Sequence, residues 1–328
     1  VITVIGGSGF IGTRLCQRLH HNGQTFGIVD KNPSARFSGQ VRRADVRSID
    51  ELRAAIGPSR AIINLAAEHR DDVRPVSLYE AVNRDGARHV CQVAEERDIR
   101  TIVFTSSVAV YGFAPPDTDE TGTINHFNEY GRTKYLAEEV YREWQRRDPK
   151  RRSLVIVRPT VVFGEQNRGN VYNLLRQIAS GRFVMVGSGR NRKSMAYVEN
   201  VAAFLEHSLA FGPGEHLHNY IDKPDFDMNT LVAQVRQELG RPQSAGIRLP
   251  YPVGLGIGYA FDLAARLSGR RFAASSIRVR KFCATTQFAS SAGRTGFIAP
   301  VSLQNGLRNT VRHEFLENHQ GETVYFSE

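Results

Sequence analysis

Through its first two thirds the chain alternates short, almost wholly apolar runs with longer segments whose apolar residues recur every three or four positions. The short runs, at 2–5, 25–30, 40–44, 61–65, 101–106 and 153–158, read as strands covered on both faces. The longer segments, at 10–21, 48–56, 77–97 and 130–147, read as helices with one apolar face. Such alternation predicts an α/β fold: a doubly wound parallel sheet with helices on both sides. Beyond 158 the pattern loosens, and regular spacing returns only in an apolar, glycine-interrupted stretch at 252–267 and a helical pattern at 303–315. The expected division is a first unit over 1–165 and a smaller C-terminal α/β lobe over 166–328, with some exchange of chain between them.

Composition narrows the class without changing that picture. At 328 residues, 41% hydrophobic and 23% charged, the chain has the make-up of an ordinary globular protein with a sizeable core. Cys16, Cys91 and Cys283 are odd in number and far apart, which argues against a disulfide framework or a zinc site and fits a reducing cytoplasm. No apolar run reaches the ~18 residues of a spanning helix. The net charge of +10 is spread along the chain, with no nucleic-acid module, so it reads as a solvated basic surface or as attraction for an anionic small substrate.

The first candidate chemistry lies at the N-terminus. Ile2 to Ile5 reads as a buried strand that runs into Gly6-Gly7-Ser8-Gly9-Phe10-Ile11-Gly12 and then a helix. Glycines in that position let the backbone turn tightly and approach a pyrophosphate, while the helix N-terminus offers free N–H groups to the anion. The next strand ends at Asp30, 24 residues past Gly6, where a carboxylate accepts hydrogen bonds from adenosine ribose hydroxyls. That carboxylate repels a 2′-phosphate and favours NAD over NADP, a preference that the neighbouring Lys31 and Arg36 soften.

The second lies at 101–134. A strand-like run ends at Thr105, Ser107 follows, and Tyr130 and Lys134 stand four residues apart on one face of a helical segment. An ammonium beside a phenol lowers its pKa from ~10, toward a range useful for moving a hydroxyl proton. With the glycine turn, Ser107, Tyr130 and Lys134 resemble the Ser-Tyr-Lys set of the extended short-chain dehydrogenase/reductases, particularly the nucleotide-sugar epimerase/dehydratase branch. The resemblance covers nearly the full length and implies a Rossmann first unit.

It also implies roles. Asp45 and Val46 would touch adenine. Leu65, Ala66 and Ala67, ending the fourth strand, would let the backbone approach the cofactor, and Asn83 would steady the active-site backbone. Pro159 and Val161, in Arg158-Pro159-Thr160-Val161, would lie at the nicotinamide end. His69, in the charged loop Glu68 to Asp72, is a substrate-side candidate, although a solvated loop explains it as well. Where relatives carry an Arg that clamps substrate phosphates, this chain has Lys193 followed by Ser194, with Arg190 and Arg192 as alternative clamps. Apolar stripes on 77–97 and 130–147 would pair across a two-fold axis in a homodimer, unless they simply pack on the sheet.

Relatives that are dehydratases carry an Asp-Glu pair where this chain has Val108 and Ala109, so elimination is not expected. What remains is 4-epimerisation of a nucleotide-diphosphate sugar, UDP-linked by preference, with 4-keto-sugar reduction second. A hydroxysteroid-dehydrogenase-like enzyme or a non-catalytic NAD-binding protein stands further off. No metal is implied. The 252–267 stretch, followed by Arg270, Arg271, Arg278, Arg280 and Lys281, reads as a helical layer over the substrate lobe, with a peripheral membrane foot as the alternative.

Overall fold

The computed structural model describes residues 1–70, 73–243, 246–268 and 275–326, so Asp71, Asp72, Arg270 and Arg271 lie outside the described residues. The chain forms β1 (Ile2–Ile5), β2 (Phe26–Asp30), β3 (Val41–Arg43), β4 (Ala61–Asn64), β5 (Thr101–Thr105) and β6 (Ser153–Pro159). It continues through β7 (Val161–Phe163), β8 (Met185–Val186) and β9 (Arg192–Tyr197) before β10 (Gly214–Tyr220) returns to the main sheet. That sheet has seven strands in the order β3, β2, β1, β4, β5, β6, β10. All its pairs are parallel. The order reverses between β1 and β4, and in such folds ligands bind in the crevice beyond the strand ends at that point.

Strand residues alternate between two cores, as the pleat requires. Val4, Ile63, Val103 and Val155 pack with α1 (Phe10–His21) on one face. On the other face, Ile5, Ile62, Ile102 and Leu154 pack with α2 (Ile49–Ala55). The helix expected at 77–97 is divided into α3 (Ser77–Tyr79), a π-helical turn (Glu80–Asp85) and α4 (Gly86–Glu96). Asn83 sits buried in the π turn, a distortion that frequently marks functional sites. Together with α5 (Glu129–Arg146), α4 completes this layer: Val90, Val93, Ala94 and Trp144 are buried in the same core, with Val82 and Val140 at its margin. These members of the two stripes pack on the protein's own sheet.

The second lobe takes α6 (Asn170–Ala179), but α7 (Val198–His207) and β10 pack on the first unit. Then come β11 (Asp222–Asp227), α8 (Met228–Glu238) and β12 (Arg248–Leu249). A small sheet orders β11, β9 and β7, and β12 pairs with β8. Phe163, Leu175, Met195, Val232 and Leu307 form the lobe's core. The last helices are α9 (Tyr251–Ser268), α10 (Ser276–Cys283) and α11 (Leu303–Phe315). Helix α9 departs from the expected apolar layer, because only Gly254 and Gly258 are buried and its large side chains face outward.

Candidate active site

A cavity of about 1040 Å³ opens at the carboxyl ends of the central strands. The glycine turn forms one end of it, with Ser8, Gly9, Phe10, Ile11 and Gly12 in its wall. Gly6 adopts φ +79°, and a Cβ there would lie 2.8 Å from the Ala66 nitrogen, so only glycine lets the turn sit against the end of β4. A Cβ on Gly12 would stand 2.4 Å from the Gly6 carbonyl oxygen, which fixes how closely α1 approaches the turn. No side chain caps α1 and no acid occupies its first turn, so its N-terminus stays open to an anion. The Asp30 carboxylate accepts from the backbone N–H groups of Ser8 (3.0 Å) and Asn32 (2.9 Å) at the cavity edge. Lys31, Asp45 and Val46 line the same end. Asp45 is held below the usual carboxylate range chiefly by its hydrogen bond from Arg47.

At the other end the cavity meets Ser107, Tyr130 and Lys134. Their convergence has a local cause. Asn128 caps α5, its side chain accepting from Gly131 N at 2.9 Å, and this sets Tyr130 in the first turn. A Cβ at Gly131 would lie 2.4 Å from the Ala109 carbonyl oxygen, so glycine permits α5 to press against the short turn that follows Ser107. Ser107 Oγ accepts from Ala109 N at 3.1 Å. Burial pushes the Tyr130 phenol up to about 12, against a lowering hydrogen bond from Ser107. Burial likewise pushes Lys134 down to about 7, against the attraction of Glu138. The lowering of the phenol expected from Lys134 therefore does not occur in the protein alone. The ammonium is itself desolvated, with Nζ 4.4 Å from the centroid of the Phe104 ring.

A buried polar framework supports this end. The Arg158 guanidinium grips Glu138 at 2.5 and 2.8 Å and donates to the Tyr111 hydroxyl at 2.6 Å. Ser106 donates to the same carboxylate at 2.5 Å, and Tyr111 donates to Asn219 at 2.9 Å. One turn beyond Lys134, Glu138 thus ties the catalytic-candidate helix to β5 and β6. Asn83 works from the other side: its amide accepts from Glu68 N at 2.9 Å and donates to Glu68 O at 3.0 Å and Thr133 Oγ1 at 2.9 Å. It stands behind the cavity wall, gripping the loop after β4 and the helix that carries Tyr130.

Of the other residues singled out from the sequence, Leu65, Ala66, Ala67, His69, Thr105, Pro159 and Val161 line the cavity. Arg192 and Lys193 are not among its lining residues, whereas Ser194 is. The Lys193 ammonium donates to the carbonyls of Lys281 (2.9 Å) and Ala284 (2.6 Å), so it clasps the C-terminal end of α10 instead of reaching toward a phosphate. Sequence reasoning missed the C-terminal tail: Val324, Tyr325 and Phe326 line the cavity beside the glycine turn. Tyr325 packs near Phe10, and its hydroxyl lies 3.0 Å from Thr13 Oγ1. Three apolar residues after a polar stretch carry no motif that could have announced this. Thr286 and Phe288 also line the cavity and were equally silent.

A family model described as the NAD dependent epimerase/dehydratase family matches residues 2–219. The chain belongs to that family. Among curated relatives, the N-acetyl-alpha-D-glucosaminyl-diphospho-ditrans,octacis-undecaprenol 4-epimerase of Escherichia coli O157:H7 is 46% identical, over 100% of this chain and 99% of the relative. A sterol-4-alpha-carboxylate 3-dehydrogenase, decarboxylating, of Candida albicans is 27% identical, over 94% of this chain and 96% of its own length. Among solved structures, the UDP-glucose 4-epimerase of Thermotoga maritima, with UDP-glucose, superposes with a TM-score of 0.73 at 18% identity. That match covers 95% of this chain and 97% of the other and shows the shared fold.

As an epimerase/dehydratase family enzyme the protein takes NAD, and its residues fit that cofactor. The glycine turn packs so closely on the end of β4 and on itself that a Cβ at Gly6 or Gly12 would strike backbone, and the helix beyond it is uncapped. Thr105 Oγ1, in the cavity wall, is buried and has no hydrogen-bond partner among the described residues. No helix among the described residues is long and apolar enough to cross a membrane.

Proposed function

We propose that this enzyme is a 4-epimerase of an N-acetylhexosamine joined through diphosphate to a polyprenol. The observation that carries the reading is the full-length 46% identity to an epimerase named for such a substrate. The site chemistry supports it: Ser107 and Tyr130 meet at the inner end of the cavity, and Val108 and Ala109 in its wall provide no acid or base for elimination. Bound NAD supplies reversible hydride transfer. As Tyr130 passes its own proton to the part-deprotonated Lys134 amine, it takes the proton of the sugar C4 hydroxyl, and both transfers reverse once the 4-keto sugar has presented its other face. Ser107 holds the same oxygen. Lys134, about half protonated at pH 7, is the group that can hold that proton. The sugar regains its hydrogens, so no net reductant is consumed.

The test incubates purified enzyme with short-chain polyprenyl-diphospho-N-acetylglucosamine and, separately, with UDP-N-acetylglucosamine, while following absorbance at 340 nm and product stereochemistry. The expected result is the 4-epimer of the polyprenyl substrate with no net absorbance change. Turnover of the UDP-sugar alone would return the reading to a nucleotide-linked substrate, as the sequence first suggests. Stoichiometric consumption of NADH with a 4-keto sugar would make the enzyme a reductase.

A further inference from the structure

Helix α9 contradicts the usual rule that a helix apolar on most of its surface is buried. Tyr251, Val253, Ile257, Tyr259, Leu263 and Leu267 are all exposed, Leu267 at 81%. The burial of glycines alone has a physical cause. A Cβ on Gly254 would lie 2.4 Å from Val186 Cγ1, and one on Gly258 would lie 2.8 Å from the Ser276 backbone. These two positions, one turn apart, let the helix lie flat on β8 and the start of α10, and most of its bulky side chains stay exposed, with Tyr259 beside Arg280 of α10. At 18 residues α9 is about 27 Å long, too short and too weakly hydropathic to span a bilayer.

Charge decides what covers this face. Among the described residues between Tyr251 and Lys281 stand four bases, Arg266, Arg278, Arg280 and Lys281, and one acid, Asp262, a net +3. A second copy paired about a two-fold axis would bring this basic stretch against itself. Anionic phospholipid headgroups would meet the same stretch with attraction. The tyrosines at 251 and 259 and the phenylalanine at 261, with apolar bodies, suit the water–lipid boundary.

The face also adjoins the active-site mouth. Thr286, three residues past the end of α10, lines the cavity. Lys281 of α10 lies 4.7 Å from the centroid of the Phe127 ring, and Phe127 packs at 4.9 Å on Phe113. Both phenylalanines are exposed, and Gly112, beside Phe113, lines the cavity. We infer that the α9–α10 hairpin, continued by Phe113 and Phe127, seats the enzyme on an anionic bilayer so that the sugar end of the cavity opens at the lipid surface. The purpose of this seat rests on the polyprenol-linked substrate, but its geometry does not.

The experiment sediments the full-length enzyme with vesicles of phosphatidylglycerol and phosphatidylethanolamine, and with vesicles of phosphatidylcholine alone. The enzyme should bind the anionic vesicles about tenfold or more better than the neutral ones, as expected where charge and apolar area act together. The pair Leu263→Glu and Leu267→Glu should cut that binding about tenfold, with turnover of a short-chain water-soluble substrate unchanged as proof of folding. Equal binding to both vesicle types, or none, overturns the inference whatever the variant does. So does light scattering that shows a wild-type dimer split to monomer by the paired substitution, which would make the face a contact between copies. Vesicle binding without turnover of any polyprenyl substrate would sink the proposed function and spare the seat; turnover without vesicle binding would do the reverse.

Discussion

Glycine removes side chains at two places in this molecule, with opposite consequences. At the active site, Gly6, Gly12 and Gly131 draw backbone against backbone, and what they bring together is enclosed: a buried lysine, a buried carboxylate–guanidinium pair and an amide clamp. On α9, Gly254 and Gly258 draw the helix against its lobe and turn its apolar residues out to solvent. In the first region close approach creates a low-dielectric pocket in which charge positions are fixed. In the second it frees a surface. Burial is thus set by which face of an element the small residues occupy, not by how apolar the element is.

The largest effect that would break the comparison is chemical. Tyr130→Phe keeps the ring and removes the proton-transferring oxygen, so kcat should fall by about 10²–10⁴, while NAD binding and melting temperature stay near wild type. Wild-type turnover in that variant would mean that the enclosed region is not where the reaction occurs. The next effect is on stability. Glu138→Ala leaves the Arg158 guanidinium, 2% exposed, without its carboxylate partner, and loss of one member of a buried pair costs about 3–5 kcal/mol. Urea unfolding measures this directly; a loss below about 1 kcal/mol would mean that water reaches Arg158 and that the framework is not closed.

How much of this the sequence disclosed follows the same division. The six strands of the first unit were legible because a doubly buried strand imposes a strict pattern on apolar residues, while the glycine turn and the proposed Ser107, Tyr130 and Lys134 were found from their spacing and the family resemblance. Position errors were small, as at 40–44, where Ser38–Gln40 forms a helical turn and only Val41–Arg43 pair in the sheet. The break in 77–97 was not legible, because an amide in a helix does not disclose that it will bond a loop 15 residues earlier. Neither was the tail, since the contact of Tyr325 with Thr13 spans 312 residues and leaves no local pattern. The 252–267 stretch was recognised as helical, but its apolar composition gave no sign that glycines would take the inner face. For Lys193 the family pattern suggested a phosphate clamp, and the carbonyls that occupy it come from a segment nearly 90 residues away.

A titration sharpens the account of the enclosed region. Lys134 has its pKa lowered from 10.5 to about 7 by burial. Between those values the unfolded chain holds a proton that the folded chain releases, so this group's contribution to stability rises as pH increases through the window, by roughly 1.4 kcal/mol per pH unit where one proton differs. Tyr130, raised to about 12, acts in the opposite sense only above pH 10. Denaturation of the cofactor-free protein between pH 7.5 and 9.5 should therefore show wild type gaining stability relative to Lys134→Met. A difference between the two that stays flat with pH would place the ammonium in contact with water.

The smallest expected effect falls on the boundary between the two regions. Lys193 belongs to β9, one residue from the cavity-lining Ser194, yet its ammonium is spent on the carbonyls of Lys281 and Ala284. Burial also pushes it down to about 8, so it is a weaker cation than an exposed lysine. If that clasp persists with substrate bound, Lys193→Met should change KM for the diphospho-sugar by no more than about twofold, the scale of a substitution that touches no site. The loss should appear instead in the hold of β9 on the C-terminal end of α10, and so in vesicle binding rather than turnover. A tenfold rise in KM with kcat unchanged would show that the ammonium leaves its carbonyls for the diphosphate, removing binding shared equally by ground and transition states. The surface-facing lobe would then contribute a charge to the enclosed site, and the division between the two regions would run through Lys193 itself.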